Sequence, residues 1–270
     1  MNTDFLHTTL GNTGIKVCRL GLSASYRPGK KTVYKALDEG LNFFFCYGFD
    51  SQMIKVLREV MKGRRENYVV ATGVYNLLWG HPNLRRTLEK RLRQLNTDYI
   101  DLFLFLGVTK PEHFNTRVRD EYHRFRQESK IRGIGLSCHH RKFLGELAAG
   151  GAIDAMMMRY NAAHRGAESE IFPHLSPHHP GVISYTATRW TYLLRQPRGW
   201  PKADRIPTAG MCYRFVLSNP NVDVCLTAPS NLKQFEENLA TVRQGPLHDS
   251  DMDFMRQFGD AVHAANHWFM

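Results

Sequence analysis

Short apolar runs and amphipathic stretches alternate along this chain almost without a break. The apolar runs fall at residues 19–23, 42–45, 68–72, 100–105, 131–137, 155–159, 181–185 and 223–227. They are continuous rather than alternating, the pattern of parallel strands covered on both faces. Between them apolar residues recur at helical spacing. Ile54, Leu57 and Met61 share one face, as do Leu84, Leu88, Leu92 and Leu95, and Leu232, Phe235, Leu239 and Val242 form another stripe. Strand followed by helix, eight times over, predicts a single (β/α)8 TIM barrel of α/β class. An open doubly wound sheet is the alternative, but the Gly-x-Gly turn of a Rossmann unit is missing after the first strand. Residues 5–10 and 15–17 flank Gly11-Asn12-Thr13-Gly14 and read as an N-terminal β-hairpin. Residues 249–264 read as an extra C-terminal helix, and with no linker the whole chain, 1–270, reads as one domain.

Composition narrows the class. A hydrophobic content of 43% supports a large core, and a charged content of 23% is ordinary for a soluble protein. No apolar run approaches the ~20 residues of a membrane helix. The opening residues carry Asp4 and lack the basic-then-apolar order of a signal peptide, so a cytoplasmic protein without a membrane partner is expected. Cys18, Cys46, Cys138, Cys212 and Cys225 are scattered without a C-x-x-C pair, which points to reduced thiols. The net charge is +11, yet the basic residues of 84–95 lie between leucines as a solvated outer face does. No basic stretch interleaved with aromatics supports a nucleic-acid partner. Cys138, His139, His140 and His164 have metal-ligand chemistry, but their spacing fits no zinc frame and no metal is expected.

In a barrel of this kind the active site lies where the strands end. The motifs near those ends are specific: Gly40-Leu41-Asn42-Phe43-Phe44, Asn96-Thr97-Asp98-Tyr99-Ile100-Asp101-Leu102 and Lys130-Ile131-Arg132-Gly133-Ile134-Gly135-Leu136-Ser137. Tyr160-Asn161, Gly166-Ala167-Glu168 and Gln234-Phe235-Glu236-Glu237-Asn238-Leu239 follow in order. Together they resemble the aldo-keto reductase superfamily. The resemblance implies carbonyl reduction with NADPH, by a tyrosine acid supported by an aspartate, a lysine and a histidine. In this chain the aspartate position is Phe45, the tyrosine position Asp50, the lysine position Gly73 and the histidine position Leu106. Without a neighbouring lysine cation a tyrosine holds its proton too tightly to be a good acid at neutral pH. Ordinary carbonyl reduction is therefore expected to be absent, over an apolar pocket floor.

Three residues are candidates to replace the acid. Asp50 is one, if desolvation raises its pKa; the other reading makes it the cap of the helix running to Met61. Tyr47 and His139 are the others, both near the rim. On the cofactor side the resemblance implies that Tyr185 stacks on a nicotinamide ring and that Ser137 holds its carboxamide. The usual amide partners of that carboxamide are replaced by Cys138 and Met157. Glu237 and Asn238 match the adenine contacts, with Gln234 on the same segment, all three on one expected edge. The lysine–serine pair that grips a 2′-phosphate in some members is replaced by Ala228-Pro229, leaving Ser230, Asn231 and Lys233 to substitute. Thr186, Thr188 and Arg189 are placed to cover a pyrophosphate. The expected function is that of an atypical oxidoreductase binding NADPH or NADH, with a small-molecule ligand in the barrel mouth. The alternatives are a non-catalytic nucleotide-binding sensor or scaffold, a pseudoenzyme, and a cofactor-independent lyase or isomerase with a rebuilt pocket.

Overall fold

A computed structural model of the chain describes residues 4–47, 50–75 and 83–265. Eight parallel strands close into a barrel, each pairing with the next and the last with the first. A hairpin of β1 (His7–Thr9) and β2 (Lys16–Cys18) precedes it. The barrel strands are β3 (Leu20–Ser23), β4 (Phe43–Phe45), β5 (Val69–Tyr75) and β6 (Ile100–Val108), then β7 (Ile131–Cys138), β8 (Ala155–Arg159), β9 (Gly181–Tyr185) and β10 (Val224–Thr227). The outer helices between them are α1 (Lys30–Asp38), α2 (Gln52–Val60), α3 (Leu84–Leu95), α4 (Thr116–Gln127), α5 (Arg141–Ala149), the single turn α6 (Ala167–Glu170) and α7 (Ala209–Leu217). Two more, α8 (Leu232–Val242) and α9 (Asp249–Ala265), complete the chain's helices among the described residues. None of the described helices is long and apolar enough to cross a membrane.

The apolar runs of the sequence are sorted by the pleat into two cores, because successive side chains of a strand point to opposite faces. Phe43, Phe45, Val69, Ala71, Leu102, Leu104, Leu106, Ala155, Met157, Ile183, Val224 and Leu226 fill the barrel interior. The residues between them, such as Phe44, Val70, Phe103, Leu136 and Met156, pack outward against the helices, together with Leu88, Leu95, Leu239 and the other helical stripes. The hairpin stoppers the N-terminal end of the barrel: its Leu10, Ile15 and Val17 join the interior cluster. Asp223 ties it there, accepting from the Gly11 amide at 3.1 Å and the Val182 amide at 2.8 Å.

Three strands run further than the apolar runs suggest. β5 continues through Gly73 to Tyr75 and β6 through Gly107 to Val108, because pairing of Val74 with Phe105 and Tyr75 with Leu106 extends the ladder beyond the last purely apolar stretch. β7 gains Cys138 by pairing with Val108. The hairpin turn is also looser than a tight two-residue turn: Gly11–Thr13 forms one turn of 3-10 helix, closed by Gly14 in the left-handed region. Past β9 no helix follows at once. The chain passes instead through Thr186, Arg189, Trp190 and Thr191, all at positive φ, before α7.

Candidate active site at the barrel mouth

Interior-facing side chains at the strand ends build the site. From β4 come Phe45 and, just beyond it, Tyr47; the two rings stack with centroids 5.7 Å apart. From β5 comes Tyr75, its ring 5.3 Å from that of Tyr47 and its hydroxyl in hydrogen-bonding reach of the Tyr47 hydroxyl. Burial, then that hydrogen bond, pushes the Tyr75 phenol well above its ordinary pKa, so it keeps its proton. Leu106 from β6, Met157 from β8 and Leu226 from β10 complete an apolar floor, against which Tyr47 and Tyr185 pack. Gly73 lies in this layer too. A Cβ there would overlap the Leu104 carbonyl oxygen and stand 3.0 Å from Leu106 Cγ. The position is therefore closed to any side chain unless backbone moves.

The rim candidates have separate fates. Asp50 is buried, and its carboxylate accepts from the Gln52 amide at 3.0 Å and the Met53 amide at 3.1 Å. Both oxygens are thereby engaged with the exposed amides of the α2 N-terminus. His139 lies exposed just past β7, its amide on the Val108 carbonyl. Desolvation and then the charge of Arg159 lower its pKa, which leaves it neutral near pH 7. Cys138 is turned outward into the helix-side core, where its sulfur pairs with the backbone of His140. His164 packs edge-on to His263. Among the described residues no three His, Cys, Asp or Glu side chains gather as a metal site.

Tyr185 ends β9 half-buried, with the Ser137 hydroxyl in hydrogen-bonding reach of its own. Burial raises its pKa, and Arg159 and Ser137 oppose the shift. Thr186 follows at φ 58, its hydroxyl on the Tyr185 carbonyl. Arg189 differs from expectation. It is 2% exposed and donates to the Val262 carbonyl of α9 at 2.9 Å, so it anchors the C-terminal helix rather than facing a pyrophosphate. At the start of α8, Asn231 caps the helix through the Gln234 amide at 3.0 Å, and Gln234 accepts from the Ser230 amide at 2.9 Å. Lys233 and Glu237 are exposed and 3.9 Å apart. Asn238 does not share that edge. It is buried and donates to Thr227 at 3.2 Å, because a residue one position on along a helix points about 100° away.

Opposite the aromatic side of the mouth stands Arg159, the last residue of β8. Ala155 and Met157 face the interior, so the pleat turns Arg159 inward as well, beside its ladder partner Tyr185. It is the one charged side chain at an interior-facing strand position among the described residues.

Sequence comparison matches the description "Aldo/keto reductase family" to residues 22–197. The chain belongs to the aldo/keto reductase family. Over 281 residues it is 24% identical to an L-galactose dehydrogenase of Arabidopsis thaliana, covering 87% of each chain. It is 26% identical to the Bacillus subtilis aldo-keto reductase YhdN over 62% of this chain and 57% of that one. Among solved structures, the holo form of an aldo-keto reductase from Bacillus halodurans superposes with a TM-score of 0.76 at 20% identity, over 97% of this chain and 98% of the other. That likeness carries the fold.

Members of this family generally bind NAD(P)H, which supplies a hydride. In this member the donor set fits the two ends of such a cofactor unequally. Ser230, Asn231, Lys233, Gln234 and Glu237 form a polar, exposed rim at the start of α8, suited to an adenosine end. For the nicotinamide end Tyr185 offers an aromatic face, whereas the outward-turned Cys138 and the apolar Met157 offer no amide to a carboxamide. Tyr75 and Arg159 are the site residues that sequence reasoning passed over. The signal for both was available in the strand alternation, which turns every second residue of β5 and β8 inward.

Proposed function

We propose that this aldo/keto reductase family member binds NADPH or NADH along the rim from Tyr185 to α8 and acts as an atypical oxidoreductase, not as an ordinary carbonyl reductase. The observation that carries the reading is Tyr185, an interior-facing ring at the end of β9 above an apolar floor, beside the Ser137 hydroxyl. Ser230, Asn231, Lys233, Gln234 and Glu237 support an adenosine contact, and a small-molecule ligand would take the apolar mouth in front of Phe45, Tyr47 and Leu106. Tyr47 and Tyr75 are the hydroxyl donors that remain for such a ligand. Burial and the hydrogen bond with Tyr47 hold the Tyr75 phenol well above its ordinary range, so it polarises by hydrogen bonding rather than by giving up a proton.

A second reading, binding without catalysis, is favoured by the closed position at Gly73 and by the engaged carboxylate of Asp50. Calorimetric titration with each dinucleotide tests both. Wild-type protein is expected to bind, and Tyr185→Ala to bind roughly fivefold more weakly, for a lost aromatic contact of about 1 kcal/mol. Binding of neither dinucleotide by folded protein would remove both readings and leave the cofactor-independent lyase or isomerase. Where binding is found, oxidation of bound NADPH separates the two: simple aldehydes should leave it at background, and a panel of quinones and other acceptors that also leaves it unoxidised selects the binding-only reading.

A further inference from the structure

Arg159 is half-buried, faces the barrel interior, and makes no hydrogen bond or ion pair with any described residue. That is an expensive state for a guanidinium, whose five donors in a fixed fork suit a carboxylate or a phosphate. The charges around it do not compensate. Desolvation lowers its pKa, Tyr185 opposes this, and Arg141 and Arg189 lower it further. No carboxylate is among the groups that act on it, and the Glu170 and Glu168 carboxylates of the segment after β8 pair with Arg141 at 2.7 Å and Arg256 at 3.0 Å.

A second, independent observation lies in the turn directly after β8. His164 is 9% exposed, and its Nε2 is buried with no hydrogen-bond partner among the described residues. An orphaned polar atom of this kind costs free energy unless a partner arrives. Arg159 and His164 thus leave hydrogen-bonding capacity unused within six residues of one strand end, beside Tyr185.

We propose that Arg159, flanked by Tyr185 and His164, is the seat of an oxyanion, a carboxylate or phosphate group carried by the ligand of the barrel mouth. The proposal rests on the mouth being the binding site and not on the cofactor. A fork–fork pair with Arg159 would fix one end of an elongated ligand against β8 and aim the other at Phe45, Tyr47 and Tyr75 across the barrel.

Inorganic phosphate, malonate and NADPH are the three probes. Thermal unfolding and calorimetry are followed for wild type, Arg159→Gln and Arg159→Lys. Without added anion, Arg159→Gln should melt at or above the wild-type temperature, because it removes an unrepaid buried charge. Phosphate or malonate should raise the wild-type melting temperature and leave that of Arg159→Gln unmoved, with Arg159→Lys between. If the oxyanion belongs to a small acid, NADPH affinity will be the same in wild type and Arg159→Gln. If it is the diphosphate of the dinucleotide, NADPH will bind Arg159→Gln at least tenfold more weakly. All three probes binding wild type and Arg159→Gln alike, or none binding either, overturns the proposal. Tyr185→Ala, read against NADPH alone, keeps the failure of the dinucleotide reading distinguishable from the failure of this one.

Discussion

His164 shows how one side chain records its surroundings. Burial first, then the charges of Arg159, Arg189, His263 and Arg141, depress its pKa from 6.5 to about 3. A depressed histidine favours the folded state above its unfolded pKa, and this stabilisation is lost as pH falls toward the folded value. From pH 6.5 down to about 3, the wild type should lose up to roughly 1.4 kcal/mol per pH unit through this group. His164→Gln should flatten that slope in urea unfolding measured across the window. Parallel slopes for the two proteins would assign the acid sensitivity to other groups. At this scale the sequence was legible wherever the chemistry is in the letters. Phe45, Gly73 and Leu106 announce an uncharged floor by themselves, whereas Asp50 reads as a cap or an acid until the amides of Gln52 and Met53 are seen on its oxygens. The inward position of Arg159 can be read from the strand period, but its lack of a partner cannot, for a related reason. Whether a cation is paired depends on which carboxylates the fold brings to it.

Among the elements, strands and helices were readable from hydrophobic period, but the docking of α9 was not. Its existence follows from the apolar spacing of Met255, Phe258 and Val262, all buried. Its place follows from contacts between residues far apart in the chain. Gly259 lies so close to the Ala162 carbonyl that a Cβ would overlap it, and Arg165 reaches Asp260 at 2.7 Å. Arg189 completes the anchor, from a loop whose succession of positive φ values no periodicity reveals. Arg189→Met should therefore destabilise the protein by about 1.5–3 kcal/mol, the usual worth of a charged hydrogen bond, and expose α9 to faster amide exchange. NADPH affinity should be unchanged when measured well below the melting transition. A loss of affinity with normal exchange in α9 would return Arg189 to a ligand-binding role.

For the molecule as a whole, the aldo/keto reductase barrel carries Phe45 and Leu106 in its interior apolar cluster, with Gly73 packed against them. Restoring Phe45→Asp, Asp50→Tyr, Gly73→Lys and Leu106→His together should destabilise the protein, since polar groups enter an interior cluster and one of them meets backbone. Gly73→Ala, which adds only a methyl, isolates the steric part and should cost about 1–3 kcal/mol. A quadruple variant that holds its melting temperature and reduces aldehydes would show that the interior readily accepts water and charge. The hairpin stopper adds a consequence of another kind. With Leu10, Ile15 and Val17 sealing one end, the barrel is a cup rather than a tube, and everything it takes in or lets go passes one lip. Two ligands sharing that lip queue: the one seated deeper enters first and leaves last, so their exchange is sequential by geometry alone.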